Sequence, residues 1–428
     1  MTIKSLIRSI LQARPGEERA VGLAFLYFFM LMCSYYLMRP LRDALPANTG
    51  LDNLALLYTA TFTVMLALTP LFGALASRVR KQVLLPVTYL FFASNLLVFY
   101  LWFKIDPDSS VLAATFYVWL SVFNMFVVSV FWSFMADVFR DEEAKRLFGP
   151  IAAGGGAGAI LGPTLTKLMA PWIGVDAVIG LSLLLLLGIL PCIRGLARWA
   201  ESRHGHFVLP VDDPEARIGG GALDGVRLVA RSPYLLGIFA IIAVGSIAGT
   251  LMYFELQRHV VESYPNLAER TNYFASLDQW VNALAWIFQA FVVTHLIRFL
   301  GLTRALVAMP LIALASFAWL SASPMLLLLS ASQVARRAGE FGLAKPCREV
   351  LFTIVDPATK YKAKNFIDTT LQRTGDMIGA WSHVALQALG VTLVGFSLLC
   401  AAGMVLIAWI AAWLGREFAR REEELGTK

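Results

Sequence analysis

The sequence predicts an all-α integral membrane protein, with twelve transmembrane helices in two six-helix pseudo-repeats. Three observations predict it. The first is composition: the 428 residues are 58% hydrophobic and 15% charged, with mean hydropathy +0.67, whereas a soluble domain carries roughly 25% charged residues. The second is the recurrence of apolar runs long enough to cross about 30 Å of hydrocarbon, centred near residues 30, 65, 92, 123, 160, 186, 243, 284, 312, 337, 378 and 403. Lipid offers the backbone no hydrogen-bond partner, so these runs are helices, and the period-two alternation of a membrane barrel is absent. The third is a weak internal repeat at an offset of about 215 residues. It lays IVDPATKY (Ile354 to Tyr361) on FRDEEAKR (Phe139 to Arg146) and takes helix one onto seven, two onto eight and six onto twelve.

In chain order, residues 1–19 form a short basic amphipathic stretch without the apolar core or cleavage site of a signal peptide, so the first helix is expected to target the chain. Residues 20–199 make the first bundle, 200–232 a polar linker, 233–415 the second bundle and 416–428 a tail. Lys and Arg cluster on the side that carries both termini, at Arg78/Arg80/Lys81, Arg140/Lys145/Arg146, Arg194 to Arg231, Arg298/Arg304 and Arg348 to Lys364. The other side receives Lys104, Lys167, Arg258 and Arg270, with Arg39 and Arg42. The positive-inside rule then places the termini, linker and tail in the cytoplasm of a multi-pass protein of the bacterial inner membrane. The same rule accounts for the net charge of +7 better than nucleic-acid binding does, because no folded basic domain holds these residues. Cys33, Cys192, Cys347 and Cys400 lie far apart in apolar runs and read as core residues, and His204-x-His206 reads as solvated loop; no metal or cofactor is expected. Parallel six-helix repeats joined by a cytoplasmic linker resemble the layout of the major facilitator fold, which implies a cargo site at the repeat interface near mid-membrane.

The segment GALASRVRK, Gly73 to Lys81, resembles the loop signature Gly-x-Leu-Ala-Asp-Arg-x-Gly-Arg-Lys of that superfamily, with Ser77 and Arg80 at the departing positions. The resemblance implies a gating role for Gly73, Arg78 and Lys81; a basic anchor obeying the topology rule is the alternative. Helix five begins GPIAAGGGAGAILGP. Gly158 and Gly162 stand at the spacing that lets helix backbones approach, and Pro163 invites a bend. A phosphate loop is excluded by the absence of a following Gly-Lys-Ser/Thr.

Charge at membrane depth is costly and is normally kept for a wet cavity or a charged cargo. Helix one ends YYLMRPLRDALP, where Arg39 and Asp43 are four apart and Arg42 is left over, with interfacial snorkelling as the alternative. On helix ten Arg336 and Glu340 stand at i, i+4, with Arg337 beside them. On helix eleven Asp368, Gln372, Asp376, Gly379 and His383 share a face and Arg373 lies about 100° around, which reads as cavity lining or, alternatively, structural ion pairing. Lys360, Lys362, Lys364 and Arg348 form a collar attractive to anions or to lipid headgroups. Glu255, at the end of helix seven, and Asp278, on helix eight, are candidates for carrying a proton. Trp119, Asn124, Trp132 and Asp137 give helix four a polar and aromatic surface; Trp132 either stacks on a cargo ring or belongs to the core.

The stretches FWSFMADVFRDEEAKRLFGPIAAGGGAGAI and KYKAKNFIDTTLQRTGDMIGAW, together with RPLRD on helix one, resemble the ATP/ADP translocase family, an NTP/NDP exchange family of the major facilitator superfamily, in a divergent bacterial form. The resemblance implies nucleotide exchange and puts Arg42 at a phosphate-meeting position. The acidic residue of helix four in that family falls at Leu120 or Ser121 here, and that of helix seven has only the displaced Glu255.

These residues point to a secondary active transporter, not an enzyme, that moves a polar anionic, nucleotide-like solute by alternating access, through exchange or proton coupling. Arg42, Arg336, Arg337, Arg373, Trp132 and Asn124 are expected to bind the solute. Asp43, Glu255, Asp278, Glu340, Asp368 and Asp376 balance charge or carry protons. A lipid or amphiphile flippase, or a proton-coupled exporter, on the same fold is the alternative. The expected partners are the solute and membrane lipids, without nucleic acid, and the chain is expected to act as a monomer. A membrane enzyme would need a clustered nucleophile, base or metal set, which the five scattered histidines do not supply.

Overall fold

A computed structural model describes residues 14–78, 81–204, 228–355 and 372–426, excepting the side chains at 69–84, 141, 204, 294 and 425–426. It is helical throughout (92%), with no strand among the described residues. The helices are α1 (Glu18–Ala44), α2 (Leu54–Arg78), α3 (Lys81–Ile105), α4 (Ser110–Val138), α5 (Asp141–Ile173), α6 (Val175–His204) and α7 (Pro233–Ser263). Next, α8 (Leu267–Ile287) runs through a π turn at Phe288–Val292 into Val293–Ala322, which breaks at Gly301 (φ 76°, ψ 162°). Residues 302–322 beyond that break are α9. Leu326–Gly339 (α10) passes through a second π turn, Glu340–Ala344, into Lys345–Leu351; α11 (Gln372–Ala388) and α12 (Leu393–Gly426) complete the chain. The last residues of the expected tail thus continue α12 as a helix.

Eight of the described helices are long and apolar enough to cross a membrane. The shortfall falls on α5, α8, α10 and α11, where glycines, charges, π turns or short length lower the hydropathy. The charges of α8, α10 and α11 are the ones that cluster below.

The described residues fall into two compact units. One takes in the described parts of Met1–Gly50, Thr63–Asp212 and Tyr264–Gln279; the other takes in those of Leu51–Phe62, Asp213–Ser263 and Trp280–Lys428. Within the first, α1 packs on α5 and α6, and α3 on α6; within the second, α7 packs on α11 and α12, and α9 on α12. The same neighbours therefore recur at the same positions in each half. Glycine explains the closest crossing in both. A Cβ at Gly162 would lie 2.9 Å from the Cys33 carbonyl of α1, and one at Gly379 would lie 3.1 Å from the Ile247 carbonyl of α7. Polar ties finish the first unit: buried Glu17 accepts from Arg146 (2.9 Å) and Arg203 (3.4 Å), joining the ends of α1, α5 and α6.

At Gly158 a Cβ would meet the Phe29 carbonyl and sit 2.8 Å from the Cys33 backbone nitrogen, and backbone cannot swing aside. Gly158→Val is therefore expected to cost about 2–3 kcal/mol, read as a lowered Tm of the purified protein. Gly22→Val is the control, since nothing lies within 4 Å of that site.

Candidate functional site

In the first unit, Arg39, Arg42 and Asp43 occupy the end of α1, around Pro40. The pairing differs from the i, i+4 expectation. Arg42 folds back on its neighbour, donating to Asp43 Oδ1 from Nε (2.9 Å) and Nη2 (2.6 Å). Arg39 Nε lies 4.0 Å from Asp43 Oδ2 and closer, 3.5 Å, to Asp278 Oδ2 of α8. Arg42 is thus not the spare charge: with a second carboxylate within reach of Arg39, two arginines meet two aspartates. The aspartates are buried, with side chains 3% and 1% exposed, and the sum of charges is zero, which lowers the cost of holding them at this depth. The Arg42 guanidinium also lies over the Tyr117 ring (4.9 Å), and its Nη1 reaches Ser121 Oγ at 3.4 Å. Ser121 is one of the two positions where the resembled family keeps an acid; here α1 supplies that carboxylate itself, as Asp43.

The start of α8 is tied into the same unit. Arg270 donates to the Pro265 carbonyl (2.7 Å) and to Asn48 Oδ1 (3.1 Å), and Gln279 donates to Thr164 of α5 (3.0 Å). Pro163 lies inside α5, and three residues on Thr166 donates to the Leu37 carbonyl of α1 at 2.8 Å. Trp132 is half-buried among Phe28, Phe131 and Phe148, with ring centroids 5.2–5.4 Å away. These contacts give it a place in the aromatic core between α1, α4 and α5. Asn124 is half-buried on α4.

In the second unit, the expected Arg336–Glu340 pair does not form. Glu340 opens the π turn, whose extra residue shifts the helical register, and its Oε1 instead accepts from Arg348 at 2.7 Å. Arg336 donates to Gln333 Oε1 from Nε (3.3 Å) and Nη2 (3.2 Å). Its guanidinium rests on bare α7 backbone at Gly249, where a Cβ would sit 2.7 Å from Nη1. Arg337, Glu340 and Asp376 act on it electrostatically, but among the described residues no carboxylate comes within 4 Å of it. Arg337 is half-buried next to it.

Asp376 of α11 accepts from Ser246 and, at 3.4 Å, from Thr250 of α7, and its Oδ2 lies 3.7 Å from Arg373 Nη1. Glu255 does not end α7, which continues about two turns further, to Ser263. It is buried against His383 of α11, Oε1 to Nε2 2.7 Å. Asp368 and the collar lysines Lys360, Lys362 and Lys364 lie outside the described residues. Gly73 and Arg78 fall on α2 and Lys81 opens α3; their side chains are likewise outside the description. Among the described residues no three His, Cys, Asp or Glu are placed to hold a metal ion.

Sequence reasoning missed Gln333 and Gly249, which seat Arg336, the hydroxyls of Ser246 and Thr250, and the pairing of His383 with Glu255. A signal was present: Ser246, Gly249 and Thr250 form a small-residue strip at i, i+3, i+4 on α7.

A family model described as the Major Facilitator Superfamily matches residues 21–338. No curated protein matches the chain. Among solved structures, a bacterial homologue of the iron transporter ferroportin, inward-facing, is similar with TM-score 0.65 and 13% identity, covering 97% of this chain and 100% of that one. A bacterial homologue of the human lysosomal transporter Spinster gives TM-score 0.56, 12% identity and coverage of 96% and 99%. A mutant form of the nucleoside transporter NupG gives 0.55, 14%, and 95% and 99%. At these identities the likeness is one of fold.

Proposed function

The chain belongs to the major facilitator superfamily, and from that premise we propose that it is a secondary active transporter that carries a polar anionic solute across the bacterial inner membrane by alternating access, with both termini in the cytoplasm. The observation that carries the reading is Arg336, a fixed charge on a membrane helix whose hydrogen-bond partner is the neutral Gln333. An arginine at this depth costs about 2.5–3.5 kcal/mol on insertion scales, and a neutral amide does not offset the charge. Its fork of donors suits a carboxylate or phosphate group of a solute. Arg337 and Arg373 extend the positive surface, and Arg42 is the corresponding group of the first unit. Asp43, Asp278, Glu340 and Asp376 balance these arginines. Gly158, Gly162 and Pro163 let α5 move on α1, and Gly73, Arg78 and Lys81 gate the loop between α2 and α3.

The resemblance of Phe131 to Ile160 and of Lys360 to Trp381 to the ATP/ADP translocases supports a phosphorylated, nucleotide-like solute. Proteoliposomes assayed for uptake of labelled nucleotides and sugar phosphates test this. Arg336→Gln is expected to reduce uptake about 100-fold or more, with smaller losses for Arg337→Ala and Arg373→Ala. Unchanged uptake in all three removes the reading.

A further inference from the structure

The seam between α7 and α11 holds an acid–base pair that anion binding does not use. Glu255 and His383 are 2.7 Å apart and 2% and 4% exposed. The His383 ring stacks on Phe396 of α12 (4.5 Å, 11° between planes) and lies 5.0 Å from the Phe254 ring. Phe254 also meets Tyr58 of α2, ring centroids 5.4 Å apart, and Trp381, just before His383 on α11, donates to Thr59 of α2 at 3.0 Å. The first turns of α2, which cluster with the second unit, therefore rest on the residues flanking this pair.

We propose that Glu255 and His383 form a proton-binding site whose occupancy is coupled to the docking of the first turns of α2, which makes it the coupling site of a proton-driven cycle. The proposal rests on the transporter reading and deepens it by naming the coupling ion. With one proton shared between them the two side chains are neutral in sum, and the aromatic surroundings tolerate them. Once that proton leaves for water, a carboxylate faces a neutral imidazole in an apolar seam, and a buried anion without a cation is strongly disfavoured. Water must then reach it, and Tyr58 and Thr59 must lift away.

Titratable groups on the surrounding helices have other partners. On α7, His259 Nδ1 donates to the Glu255 backbone carbonyl (2.8 Å) and the Tyr253 hydroxyl accepts from Gln257 (2.6 Å). On α11, Asp376 is held by Ser246 and Arg373; on α10, Arg336 is held by Gln333; on α12, Cys400 lies 3.6 Å from the Ala248 carbonyl. The pair is a separate centre among them.

The test is a pH titration of the purified full chain by NMR, with 15N-labelled histidine and 5-fluorotryptophan. His383→Gln and Trp381→Phe identify the two resonances. The His383 and Trp381 signals are expected to change with one midpoint, Trp381 moving toward its solvent-exposed position as pH rises. Glu255→Gln is expected to abolish the shared transition, and Asp376→Asn to leave its midpoint in place. A Trp381 signal that is flat between about pH 5 and pH 9, or a transition that survives Glu255→Gln unchanged, overturns the proposal. Should Glu255→Gln not fold, His383→Gln keeps a neutral donor to Glu255 and is expected to move the Trp381 midpoint by more than about one pH unit; an unmoved midpoint overturns the proposal equally. Loss of uptake in Arg336→Gln does not depend on these outcomes, so failure of the coupling site is distinguishable from failure of the anion site.

Discussion

Asp278→Asn is expected to destabilise the protein by about 3–5 kcal/mol, the usual cost of removing one partner from a buried ion pair. Asp278 is 1% exposed, and its loss leaves Arg39 with only Asp43, which Arg42 already holds at 2.6–2.9 Å. Two positive charges then share one carboxylate on the last turns of α1. Thermal unfolding of the purified protein measures the loss. Adding Arg39→Gln to Asp278→Asn is expected to restore most of it, because the charge left unpaired is then gone as well, and the double-mutant cycle isolates that coupling. A change below about 0.5 kcal/mol for Asp278→Asn would mean that these charges are screened by water and that the α1–α8 contact contributes little.

Gly249→Ala is expected to do the reverse, sparing the fold while weakening binding of the anionic solute by about 100-fold. A Cβ at residue 249 would lie 2.7 Å from Arg336 Nη1, and the flexible end of a long side chain can move aside. Alanine also suits a helix better than glycine. The guanidinium would keep its charge and lose its position, and a shift of about 1 Å is enough to cost two orders of magnitude where charges must align. Gly245→Ala is the matched control, since its Cβ would meet only Ile407, at 3.9 Å. Titration of the best-binding anion against the three proteins reads the effect. Equal affinity for all three would show that the seat of Arg336 on α7 is incidental.

Much of the fold was legible because lipid imposes it. Apolar lengths, and glycines where backbones meet, follow from the absence of water, so the helices and the α1–α5 crossing could be read from residues alone. The α7–α11 crossing was harder to see: its glycines, Gly375 and Gly379, face Ser246, Ile247 and Thr250 and not a second glycine run. The charged residues were legible as a set and not as pairs. Matching Arg336 to Glu340 assumed an unbroken helix, and the π turn that turns Glu340 toward Arg348 leaves no simple mark in the sequence. Matching Arg39 to Asp43 used the nearest carboxylate in sequence, whereas Asp278 comes from the other half of the chain. His383 was on the polar face of α11, but only the packing of α11 on α7 shows that Glu255 is its partner.

The central claim is that Arg336 seats the anionic group of the cargo. The most direct measurement is a thermal-shift screen of purified wild-type and Arg336→Gln protein against nucleotides, sugar phosphates, carboxylates and lipids, since a ligand that binds the folded state raises Tm with its concentration. The expected result is concentration-dependent stabilisation of the wild type by phosphorylated anions that disappears in Arg336→Gln. Equal stabilisation of both proteins, or stabilisation by lipids alone, would contradict it.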